Sequence, residues 1–150
     1  MNTSSLRHFG QSNFNIKNHD IDERLEKLFG ENHEKDIILY CEDDETIRKA
    51  MVNTLKFLFP NKVIADMQNA EDAIQMLTAD IETRNKIAFV LSDFNLSKDG
   101  KTGGDLVKHL RSIKSLKNIP FILNSGNRSL EESDYDGLVD DFLYKPGGIN

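Results

Sequence analysis

A chain of 150 residues with 38% hydrophobic content carries enough apolar material for one well-filled core, so a single main domain is expected. Lys and Arg number 19 against 25 Asp and Glu, a net charge of -6 with no basic run, which speaks against a nucleic-acid-binding surface. No stretch approaches the roughly 18 apolar residues of a membrane span and the first residues have no secretory pattern, so a soluble, cytoplasmic chain is expected.

Residues 1–19 are rich in Asn and Ser with scattered Leu6, Phe9, Phe14 and Ile16, too little apolar material to offset ordering. From Asp20 the pattern changes. Asp20 and Glu23 have capping-box spacing, and Ile21, Leu25, Leu28 and Phe29 fall on one helical face before Gly30, so an amphipathic helix is expected over 20–29. The chain divides at this level into an arm with its helix, 1–35, and a main domain, 36–150.

Beyond Lys35, short apolar runs alternate with helical patterns. Strands are expected over 37–41, 63–67, 87–91, 121–123 and 142–144. Between them, Ile47, Met51, Leu55 and Leu58 stripe one helix that ends near Pro60; Ala70, Ala73, Ile74 and Leu77 stripe a second; Leu106, Val107 and Leu110 mark a third, and a weak one surrounds Leu130. Strand–helix alternation calls for right-handed crossovers and a mainly parallel sheet covered on both faces. The unbroken hydrophobicity of 87–91 suits a central strand of such a sheet. Cys41 lies inside an apolar run with no second cysteine, and reads as a small buried hydrophobe.

In an open parallel sheet, ligands gather at the carboxyl ends of the strands, where the strand order reverses. The first strand ends in Glu42-Asp43-Asp44-Glu45, the third in Ser92-Asp93, the fourth in Asn124-Ser125-Gly126 and the fifth in Lys145-Pro146. Each has a plain reading: acidic residues favour helix starts, Ser125 with Gly126 makes a turn, and Lys145 is a surface lysine. Together they read differently. Carboxylates from two strand ends aimed into one cleft repel unless a cation lies between them, and an oxygen-only set with few ligands suits magnesium.

The segments Leu39-Tyr40-Cys41-Glu42-Asp43-Asp44, Val90-Leu91-Ser92-Asp93-Phe94-Asn95, Leu123-Asn124-Ser125-Gly126 and Phe142-Leu143-Tyr144-Lys145-Pro146 resemble the receiver domains of two-component response regulators, in order, over residues 36–146. The resemblance implies an α/β, flavodoxin-like, doubly wound sheet of five parallel strands in the order 2-1-3-4-5. It also implies that Asp93 accepts a phosphoryl group, with Glu42 and Asp43 as the acidic pair, since Arg48 then keeps the family's offset; Asp44 is the next candidate. Magnesium would be held by Asp43, Asp93 and the Asn95 carbonyl, with Glu42 acting through water. By the same resemblance Ser125 is the switch hydroxyl, Lys145 grips the phosphoryl group, and Phe142 is the aromatic that moves on activation. Asn95 and Asn127 would influence the attacking water. The implied partners are a histidine kinase or histidine phosphotransfer protein and a downstream protein target; turnover of an external substrate is not expected.

The chain departs from the family in three places. Extra residues, Ser97 to Thr102, stand between Asp93 and the glycine before Asp105, with Ser97 where proline is usual; the stretch 129–137 is poor in large apolar residues; and Pro146-Gly147-Gly148-Ile149-Asn150 stands where a fifth helix normally begins. The helix over 20–29 is therefore expected to cover the flank that such a helix would cover, in its own chain or in a neighbour as a swapped dimer. Two other readings remain. A pseudo-receiver would keep the fold as a protein-binding module without phosphate control, and a haloacid-dehalogenase-like phosphotransferase would need a second carboxylate where Asn95 stands.

Overall fold

The computed structural model of the chain describes residues 35–96, 100–125 and 134–144. The arm with its expected helix over 20–29, the stretch around Leu130, Asn127 and Lys145 lie outside the described residues. In chain order the elements are β1 (Ile37–Cys41), α1 (Glu45–Leu58), β2 (Val63–Met67), α2 (Ala70–Ala79), α3 (Ile81–Asn85), β3 (Ile87–Asp93), α4 (Gly103–Ser112), β4 (Phe121–Ser125) and β5 (Asp141–Tyr144). The strands form one sheet, all parallel, in the order β2-β1-β3-β4-β5. This is the expected doubly wound order, and β3 is its centre, with all seven residues buried.

Each strand divides its side chains between two cores. Ile38, Tyr40, Phe89, Leu91, Ile122 and Leu143 face one side, where α1 contributes Met51, Leu55 and Leu58. Leu39, Cys41, Val90, Phe121, Leu123 and Phe142 face the other, against α2 and α4. A register shift between Ile37 and Ile38 places the extra residue Ala88 opposite the join, so that Ala88 and Phe89 both belong to the α1 side. From Phe89 onward the strict alternation returns.

The helices begin on side-chain caps. Asp44 accepts from the Ile47 amide at 2.9 Å and Asn69 from the Asp72 amide at 2.7 Å. Thr102 and Asp105 close a capping box on α4 at 3.0 and 2.9 Å. In α1 the residue that turns inward one turn before Met51 is Arg48, 9% exposed, while Ile47 is 37% exposed, a departure from the expected stripe. The guanidinium has partners there that an isoleucine lacks. Among the described residues no helix is long and apolar enough to cross a membrane.

Candidate functional site

The order of the sheet reverses between β1 and β3: the chain leaves β1 toward β2 on one side, and leaves β3 toward β4 on the other. The crossovers therefore diverge and open a cleft above the carboxyl ends of these two strands. The acidic residues stand in it.

Side-chain alternation fixes who faces whom. Cys41 is in register with Ser92 and Asp93 with Asn124. Glu42, which prolongs β1 by donating its amide to the Met67 carbonyl at 3.0 Å, therefore shares a row with Asp93 and Asn124. All three continue the α1 face of the sheet, and they are 1%, 2% and 0% exposed. Asp43 sits at the exposed rim. Carboxylate oxygens of Glu42, Asp43 and Asp93 all lie within 4.8 Å of one another.

The backbone around these groups is tightly held. Arg48 donates through Nη1 to the Glu42 carbonyl at 3.0 Å and through Nε to Asp66 Oδ2 at 3.1 Å, tying the end of β1 to β2. The Asp44 amide donates to Glu42 Oε2 at 3.2 Å, while the Asp44 side chain is engaged as the α1 cap. After Asp93, the Phe94 amide donates to the Asn124 carbonyl at 2.9 Å and the Gly103 amide to the Phe94 carbonyl at 2.7 Å. Gly103 approaches so closely that a Cβ there would overlap the Asp93 carbonyl oxygen. Ser92, on the opposite face, donates to the Asp93 carbonyl at 2.9 Å.

Magnesium takes oxygens at about 2.0–2.1 Å, so two ligands across one ion stand roughly 4.2 Å apart. Three oxygens within 4.8 Å match that span once a bridging water or a small side-chain rotation is allowed. The donor set, oxygen-only and acidic, also fits the ion's chemistry. Asn95 leaves β3 on the exposed loop, Ser125 closes β4 beside β3, and Phe142 is buried on the far face among the α2 and α4 side chains.

Two further polar side chains are less expected. The Tyr40 hydroxyl and both amide atoms of Asn124 are fully buried and have no hydrogen-bond partner. Leaving such a group unsatisfied costs about 1–3 kcal/mol. Burial first, and then the charges of Glu42 and Asp93, hold the Tyr40 hydroxyl well above the ordinary tyrosine range. Tyr40 looks from sequence like one more member of an apolar strand, and Asn124 like a turn residue; only the register shows that both face the acidic row.

No family model matches the chain, and no curated protein does. Solved structures do. The chain is similar to a response regulator receiver protein from Pseudomonas putida, at 25% identity and a TM-score of 0.61, covering 75% of this chain and 87% of that one. It is similar to the phosphorylated cyanobacterial phytochrome response regulator RcpA, at 22% identity and a TM-score of 0.63, covering 75% and 81%. A manganese-bound form of the response regulator Rcp1 matches at 20% identity and a TM-score of 0.57, covering 74% and 81%.

Proposed function

We propose that this chain, whose fold is that of the response-regulator receiver domains, is a phosphoacceptor signalling module that takes a phosphoryl group onto Asp93. The observation that carries the reading is the convergence of Glu42, Asp43 and Asp93 at the topological switch point of the sheet. A carboxylate is a weak nucleophile, so the protein's contribution is alignment and charge compensation. Asp93 is held by Ser92 and Gly103 at its backbone, which leaves the carboxylate aimed at the cleft. An Asp93 oxygen attacks the phosphorus of a phosphohistidine on a partner kinase or phosphotransfer protein; the new O–P bond forms as the N–P bond breaks, and the imidazole leaves with the electron pair. Asp43, Asp93 and the Asn95 carbonyl, with Glu42 acting through water, would hold a divalent cation, magnesium in this reading, which neutralises phosphoryl oxygens when bound. The metal-bound Rcp1 neighbour supports a divalent site in this fold.

In the same reading Lys145 supplies a fixed positive charge to the phosphoryl group, Ser125 its switch hydroxyl, and Phe142 the aromatic response. Asn95 and Asn127 tune the attacking water. The product is a changed protein-binding face read by a downstream partner, in a cytoplasmic setting, and not a released chemical product.

Exposure to acetyl phosphate with magnesium, followed by intact-mass measurement, tests the assignment. The wild type is expected to gain one phosphoryl group, Asp93→Asn none, and Asp43→Ala none with loss of metal binding. An equal gain in Asp93→Asn would remove Asp93 from the role; an unchanged gain in Asp43→Ala would move the acidic pair toward Asp44.

A further inference from the structure

We propose that a cleft at the amino-terminal end of the sheet, at the opposite pole from Asp93, is a binding site for a phosphate-type oxyanion, with Lys35 and Arg84 as its charged ligands. β3 begins at Ile87, which lines this cleft, and ends at Asp93, so the two sites stand about 20 Å apart at the rise of a strand. The inference is independent of the phosphoacceptor reading.

Three connections build the cleft. Lys35 precedes β1, Arg84 and Asn85 close α3, and Ser115 and Asn118 belong to the turn between α4 and β4. Together they border about 160 Å³, where a single water needs about 10–15 Å³. The walls are held in place. Lys35 Nζ donates to the Asn85 carbonyl at 2.8 Å, and the Lys35 carbonyl accepts from Lys62 Nζ. The Ile37 amide donates to the Lys86 carbonyl and the Val90 amide to the Pro120 carbonyl, both at 2.9 Å. These bonds fix the strand starts on which the cleft stands, so an incoming anion meets donors already positioned.

Charge decides what such a cleft takes. Lys35 and Arg84 are both half-buried. The stretches that supply the lining, Lys35, 84–87 and 115–120, carry the cations Lys35, Arg84, Lys86 and Lys117 and no acidic residue, in a chain whose net charge is -6. The nearest carboxylates along the chain, Asp36 and Glu82, are exposed and outside the lining, and that of Asp80 is engaged as the α3 cap. Cations gathered in a concavity without a carboxylate favour an anion over a neutral ligand. The donors narrow the class further. Arg84 engages only Nη1, with the Leu77 carbonyl at 3.4 Å, which leaves Nε and Nη2 for a ligand. The remaining N–H groups of Lys35, the Ser115 hydroxyl and the Asn118 amide add to them. These are more donors, from more sides, than the two oxygens of a planar carboxylate take up, and they suit the tetrahedral oxygens of a phosphate.

Inorganic phosphate titrated into the whole ¹⁵N-labelled chain, followed by amide chemical shifts, tests the site. Magnesium is left out, so that the carboxylate cleft holds no cation to attract the anion. Saturable shifts are expected at Asn85, Ser115 and Asn118, and none at Glu42 or Asp93. Arg84→Gln and Lys35→Gln are each expected to weaken binding by about fivefold or more while melting near wild type, and Arg84→Lys to restore most of it. Lys49→Gln, which removes an exposed cation paired with Glu45 at 2.8 Å on α1, is expected to change nothing. Acetate at matched ionic strength is expected to bind about tenfold more weakly than phosphate. Glycerol phosphate, run alongside, separates the sources: equal affinity assigns the site to phosphate monoesters, weaker affinity to the free ion. Shifts that do not saturate, an equal response to acetate, or wild-type affinity in either folded Gln variant overturns the inference.

Discussion

Cys41 is the last residue of β1, 0% exposed, with burial pushing its thiol up to about 12. At neutral pH the thiolate fraction is negligible and the sulfur is out of reach, so iodoacetamide is expected to leave the native protein unlabelled and to label it fully once it is unfolded. Labelling at equal rates in both states would contradict the burial. Tyr40 shows the matching pH effect. Its folded pKa lies above the unfolded value of about 10, so the neutral hydroxyl's contribution is intact below that pH and is lost as pH rises beyond it. Residue identity alone made the Cys41 placement legible, because an apolar run with one small thiol leaves few options. It did not distinguish Asp44 from Asp43: four acidic residues in a row look alike until one is seen to cap α1.

Elements with a strong period were readable to within a residue or two. β2 spans the expected 63–67, and α2 begins at Ala70, the first residue of its expected stripe. α3 was not readable, because its five residues bury nothing and owe their turn to Asp80, whose carboxylate accepts from the Glu82 amide and the Thr83 hydroxyl. The insertion after Asp93 behaves differently at its two ends. Leu96, just before it, is buried, and Thr102 with Asp105 caps α4 where it ends. The tightest constraint there is Gly103. A methyl group at this position must push the Asp93 carbonyl or the helix away, and Gly103→Ala is expected to cost about 1–3 kcal/mol in urea unfolding and to slow phosphorylation of Asp93. Wild-type stability and rate in that variant would mean that the loop yields freely.

At the scale of the molecule, the two faces of the sheet are unequally served. Among the described helices α1 alone joins the core on its face, yet Ile122 and Leu143, two and three strands away from β1, are 0% and 2% exposed. An α-helix is only about 10 Å across, and strands stand about 4.8 Å apart, so one helix over β1 and β2 does not span to β5. The apolar stripe of Ile21, Leu25, Leu28 and Phe29 is the sequence feature suited to that cover. Deleting residues 1–30 is expected to lower the melting temperature by about 5 °C or more, or to cause self-association; an equally stable monomer would show the segment to be a detachable arm. Strand–helix alternation made a parallel sheet legible and the resemblance to receiver domains implied its order, whereas the cover of each face depends on docking that no periodicity encodes.

The position of β3 has one more consequence. Every one of its residues is buried and it is paired on both sides, while edge strand β2 has Val63 60% exposed. Amide hydrogen exchange should therefore run as a gradient across the sheet, fastest in β2 and slowest near Leu91, where it reports only global opening. Asp93 is anchored to the least yielding strand of the protein. A phosphoryl group added there finds no slack beneath it, and its effect should emerge as altered exchange in residues 94–104 with β3 itself unmoved.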